Sequence, residues 1–156
     1  MSNEAKEILD RYWDLLLPVK VDDIAKRCGI LIRPLDESLC QNFSGIASID
    51  KVIYYNPNES ANRQRFTIAH ELGHHVLGHT MYGDMFRDIF KDGIYHPKEV
   101  AANSFAAEIL MPFRAVLRLA GSKGFKTEYD LAVLFNVSID AVHWKLVNLG
   151  IIDNGR

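Results

Sequence analysis

The amino-acid sequence predicts an α+β fold, a small three-stranded sheet packed with long helices, and three observations carry that prediction. The 156 residues are 48% hydrophobic, enough to bury one core and too few for a second independent one. Helix-period stretches occupy both ends of the chain, while its middle holds three short β-branched or aromatic runs bounded by turn residues. No repeat, low-complexity tract or long charge run marks a linker, so residues 1–156 read as a single domain.

Taken in order, residues 3–17 form an amphipathic pattern stopped by Pro18. Residues 21–28 form a second helix, with Asp22 as its cap and Gly29 as its end. Strands follow at 30–34, 45–49 and 52–55, the last two joined by a hairpin turn at Asp50-Lys51. A longer helix runs from Ser60 or Asn62 to His79. Residues 99–110 are apolar nearly all round and predict a buried helix. Pro112 opens the next helix, which ends in Gly121 to Gly124. Residues 128–149 give two further helices, and 122–156 as a whole resembles a helix-turn-helix.

Within the helix at 60–79, His70-Glu71-Leu72-Gly73-His74 places two histidines four apart with a glutamate directly after the first. At about 100° per residue the imidazoles lie roughly 40° apart on one face, so both reach one metal ion. Glu71 is turned roughly 100° from His70, beside a metal and not on it, where a carboxylate can take a proton from an attacking water. Ile68, Ala69, Leu72, Val76 and Leu77 make the opposite, core-facing arc. This is the pattern of zinc hydrolases, which need a third protein ligand.

Glu99 is the candidate, because a carboxylate on a buried helix needs a strong partner such as a zinc ion. It can also be a solvated residue favouring the helix N-terminus. Asn103, one turn on, either orients a ligand or makes an ordinary buried hydrogen bond. His75 and His79 form a second pair that faces away from the first, although a chain curling back after Gly78 offers His79 as a third ligand in place of Glu99.

The run Arg65-Phe66-Thr67-Ile68-Ala69-His70-Glu71-Leu72-Gly73-His74, followed by Glu99-x-x-x-Asn103-x-Phe105-Ala106-x-x-x-Leu110-Met111-Pro112, closely resembles the ImmA/IrrE family of metallopeptidases. The resemblance extends over nearly the whole chain. It implies zinc held by His70, His74 and Glu99, with Glu71 as the catalytic glutamate. It further implies an intracellular bacterial or phage endopeptidase that cleaves a specific protein, often a helix-turn-helix repressor of a mobile element or stress response. Other members of the family stand beside toxin-antitoxin modules. A chain that keeps the zinc fold to bind a regulatory partner without hydrolysis fits the same residues.

Around that site, Tyr54 and Tyr55 lie on a strand that either pairs with an extended substrate as a sheet edge or is simply covered. Tyr82, Tyr95 and His96 either donate a hydrogen bond to the oxyanion of the tetrahedral intermediate or serve packing and surface roles. In the C-terminal pair, residues 123–156 hold four basic and four acidic side chains and the chain carries a net charge of -2. No phosphate-attracting field is evident, so direct nucleic-acid binding is not expected and the pair is expected to pack on the core. The start of the chain has no basic region leading into an apolar signal core, and no run approaches membrane-spanning length, which predicts a cytoplasmic protein without a membrane partner. Cys28 and Cys40 read as free buried thiols.

Overall fold

The structure, a computed structural model, describes residues 2–80, 86–87, 96–124 and 127–155. Helix α1, Asn3–Tyr12, is capped by the Ser2 hydroxyl, which accepts from the Ala5 N–H. It stops five residues earlier than its apolar pattern suggests. Asp14 is the reason: its carboxylate accepts from the Leu16 N–H, Trp13 Nε1 donates to the Leu16 carbonyl, and Leu15 adopts a φ of 63°. These local bonds give the backbone an alternative to the helix.

Helix α2, Val21–Arg27, begins at Lys20 without a side-chain cap, so Asp22 is a first-turn residue and not the cap. Gly29, at a φ of 78°, ends it as expected. Strands β1 (Leu31–Pro34), β2 (Gly45–Ser48) and β3 (Val52–Tyr55) stand where the sequence places them. A two-residue strand β4, Phe86–Arg87, joins them, and the order across the sheet is β1-β3-β2-β4. β3 pairs parallel with β1 and antiparallel with β2, whose hairpin turn holds Lys51 at a φ of 62°.

That order corrects one expectation. β3 is flanked on both sides, so its N–H and C=O groups serve the sheet and no peptide can add to it as an edge. Tyr54 faces Ile46 and Arg33 across the ladders, and Tyr55 packs against the core.

Helix α3, Ala61–Val76, is capped by Ser60 and packs antiparallel along α4, Pro97–Leu110. Gly73 permits the closeness: a Cβ there would lie 3.0 Å from the Phe105 ring and 3.3 Å from the Ala102 Cα. Helix α5, Phe113–Ala120, follows a short break at Met111-Pro112. Helices α6, Glu128–Phe135, and α7, Ile139–Asn148, are capped by Thr127 and Ser138 and joined through Asn136 in the left-handed conformation. The core runs through all of these layers, from Ala5 and Leu9 on α1 through Ile53, Leu72 and Phe105 to Phe135, Val142 and Leu146. Among the described residues no single helix is long and apolar enough to cross a membrane.

The C-terminal pair is tied to the rest by polar bonds. Arg65 donates from Nε to the Asn136 carbonyl and from its guanidinium to the Phe135 carbonyl, at the C-terminal end of α6 where unpaired carbonyls favour a cation. Lys145 on α7 meets the buried Glu108 of α4 at 2.6 Å, and the other oxygen of Glu108 accepts from the Phe113 N–H that opens α5. A single carboxylate thus joins three helices.

Candidate metal centre

His70 and His74 occupy successive turns of α3, and Glu99 stands opposite them in the first turn of α4. His70 Nε2 lies 3.0 Å from one Glu99 oxygen and His74 Nε2 lies 3.0 Å from the other, while the two Nε2 atoms are 3.1 Å apart. All three residues are at least 95% buried. Donors on a tetrahedral ion with bonds of about 2.0–2.1 Å stand roughly 3.3 Å apart, so this spacing suits a small divalent metal.

The hydrogen bonds behind the triangle decide what fills it. The Asn103 amide oxygen sits 2.9 Å from His70 Nδ1, so that nitrogen carries the hydrogen and Nε2 presents a lone pair. His74 Nδ1 is 2.7 Å from His79 Nδ1, a contact in which either ring can donate; when His74 does, its Nε2 presents a lone pair as well. Two imidazole lone pairs and a carboxylate then converge in a buried space, an arrangement that repels unless a cation joins it. The donor set fits a metal ion, and the three residues can hold one. In the metal-free chain the Nε2 atoms can instead carry hydrogens toward Glu99: burial raises its pKa, but these bonds from His70 and His74 and their charge outweigh it and hold the carboxyl down at about 2.

His79 departs from expectation. The helix ends at Val76, Gly78 turns left-handed at a φ of 74°, and the His79 N–H reaches back to the His74 carbonyl at 2.9 Å. That turn brings the imidazole behind His74, against its Nδ1, while Glu99 makes the third corner of the triangle. His75 does face away, bonding the Val52 carbonyl at 3.3 Å from Nε2, and burial pushes its pKa down.

Glu71 is fully buried beneath β2. Gly45 makes room for it: a Cβ at that position would fall 3.0 Å from Glu71 Oε1 and 2.3 Å from Thr67 Cγ2. Nothing in the local sequence at Gly45 signals this, because the contact forms only when β2 crosses α3. Phe66, one turn before His70, stacks on its ring at 6.0 Å between centroids. His96 is exposed at the start of α4, three residues before Glu99. Tyr82 and Tyr95 lie outside the described residues. Cys28 and Cys40 are free and half-buried.

Comparison with known proteins agrees with this geometry. A solved structure described as a Mycobacterium tuberculosis transcriptional regulator superposes with a TM-score of 0.56 at 18% identity, covering 92% of this chain and 45% of that one. The likeness is one of fold, and the chain spans less than half the length of that structure. No curated protein matches the sequence. The model of the IrrE N-terminal-like domain, a peptidase family, matches residues 25–147, which take in α3, α4 and every residue of the metal triangle. The chain therefore belongs to the IrrE N-terminal-like family of peptidases.

Proposed function

We propose that the chain is a zinc-dependent endopeptidase that cleaves a specific protein in the cytoplasm, a helix-turn-helix transcriptional repressor being the substrate class that the ImmA/IrrE resemblance suggests. The observation that carries the reading is the convergence of His70 Nε2, His74 Nε2 and the Glu99 carboxylate in a buried triangle, with a polar partner behind the Nδ1 of each ring. Zinc held by these three residues would supply Lewis-acid polarisation of the scissile carbonyl and of the attacking water.

The remaining work falls to side chains. Glu71, next to His70 on α3, accepts the proton of the water as its oxygen bonds to the carbonyl carbon, then passes that proton to the nitrogen as the C–N bond breaks. Gly45, having no Cβ, leaves the space its carboxylate occupies. Asn103 and His79 hold the rings of His70 and His74 in register for the metal.

Newly formed protein N-termini in native cells, mapped for wild type and Glu71→Gln, test the reading. Glu71→Gln is expected to keep the metal and lose roughly two to four orders of magnitude in cleavage rate. Termini present only with wild type would name the substrate. Identical termini in both strains, with metal bound in both, would favour a zinc-containing regulator that binds its partner without cutting it.

A further inference from the structure

A groove of about 560 Å³ opens beside the metal triangle, between α3, the end of α4 and α7. Its walls are mostly apolar: Phe66, Ala107, Leu110, Met111, Val137 and Trp144 face it. Leu110 and Met111 form a closed floor, at 2% and 3% exposure, whereas Trp144 is 48% exposed on the wall. An exposed indole over an apolar floor is surface that a ligand can cover with net gain.

The groove lies one helical turn from the candidate site along both α3 and α4. On α3 its wall begins at Phe66, whose ring stacks on the ligand His70 one turn away. On α4 it begins at Ala107, one turn after Asn103, which bonds that same histidine. A helical turn advances about 5.4 Å and an extended peptide about 3.3–3.6 Å per residue, so a chain with its scissile bond at the ligands reaches the groove within roughly two residues. The amides of Asn62 and Asn148 on the rim suit the backbone of such a segment.

Resting on the peptidase reading above, we propose that this groove is the specificity pocket of the site: it receives a large apolar side chain, of the leucine, methionine or phenylalanine class, within a few residues of the scissile bond. Trp144 and Phe66 select that side chain. The helix-turn-helix-like pair is then a wall of the peptidase cleft, held on α4 by the Lys145–Glu108 ion pair.

Tripeptide hydroxamates test the assignment, because the hydroxamate seats on the metal and the peptide extends from it. The zinc-loaded chain is titrated calorimetrically with the all-glycine compound and with three versions carrying one leucine at each position. A single methylene in an apolar pocket changes binding by roughly 10–200-fold, so leucine at one position is expected to tighten binding at least tenfold over glycine. In Trp144→Ala, and separately in Ala141→Trp, which fills the groove from the helix surface, the leucine-to-glycine ratio is expected to fall to near one.

No leucine preference in wild type, or a preference that both variants retain, would overturn the pocket while leaving the metal reading standing. Failure of even the all-glycine compound to bind a chain that keeps its zinc through dialysis would overturn the peptidase reading, which needs an open place on the metal, and the pocket with it. A dimer in sedimentation that Trp144→Ala dissociates would assign the groove to a second copy and overturn its role in specificity.

Discussion

Two carboxylates on α4 are almost equally buried and meet opposite surroundings. Glu108 is 4% exposed and Glu99 5%. Glu108 faces the Lys145 ammonium and the Phe113 N–H, both of which bring hydrogens to it. Glu99 faces the Nε2 atoms of two imidazoles, each of which has a polar partner, Asn103 or His79, behind its Nδ1. Burial of a carboxylate therefore does not distinguish a strut from a ligand. The chemistry of the partner does, because an ammonium and an amide only donate, whereas two imidazoles can present lone pairs and share the space with an ion.

The largest contrast is expected in metal retention. Glu99→Ala should weaken zinc binding by more than the roughly 10–100-fold that a hydrogen-bonding partner of a ligand is worth, while Glu108→Gln should leave the metal bound. Equilibrium dialysis against a chelator series measures both, and equal losses would erase the distinction. In the metal-free chain Glu99 should also make stability depend on pH. Glu99 has its folded pKa depressed to about 2 from 4.5, so its contribution to stability is complete above about 4.5 and disappears as pH falls toward 2. The difference in denaturation midpoint between wild type and Glu99→Gln should shrink over that interval.

At the other end of α4, Lys145→Met should cost about 3–5 kcal/mol of folding free energy by leaving Glu108 buried without its cation. Adding Glu108→Gln to that variant should restore most of it, and urea denaturation of the two proteins decides the matter. A loss that the double variant does not recover would mean that Lys145 acts by packing alone.

Smaller effects test the supports. Asn103→Ala frees the His70 ring and is expected to cost about 10–100-fold in zinc affinity, read by the same dialysis. Gly45→Ala forces a Cβ against Thr67 and Glu71, and overpacking of this kind costs about 1–3 kcal/mol. Its distinguishing sign is a fall in cleavage rate at unchanged zinc affinity, since the clash falls on Glu71 and not on the ligands.

How much of this was legible beforehand follows the range of each interaction. His70, Glu71 and His74 are set by helix periodicity, and their side-by-side placement is a matter of one turn. Ser60, Thr127 and Ser138 cap their helices through bonds of three residues' reach, which a linear reading sees. Gly78 was visible as a breaker, yet only the left-handed turn carries His79 back behind His74. Tyr54 and Tyr55 were read on a possible edge because strand content says nothing about strand order. Glu108 attracted no notice, since its partner Lys145 lies 37 positions away.

Local chemistry in the chain was thus sufficient for the α+β class, the helix carrying the histidine pair, the buried character of α4 and Glu99 as the acid to look for beside that pair. Four features awaited the packed molecule: the central place of β3, the cover that Gly45 gives to Glu71, the partners that Asn103 and His79 supply behind the two rings, and the groove walled by α7. Each depends on where a second, distant segment comes to rest. Hydrophobic periodicity says which face of an element is buried, and only assembly says against what.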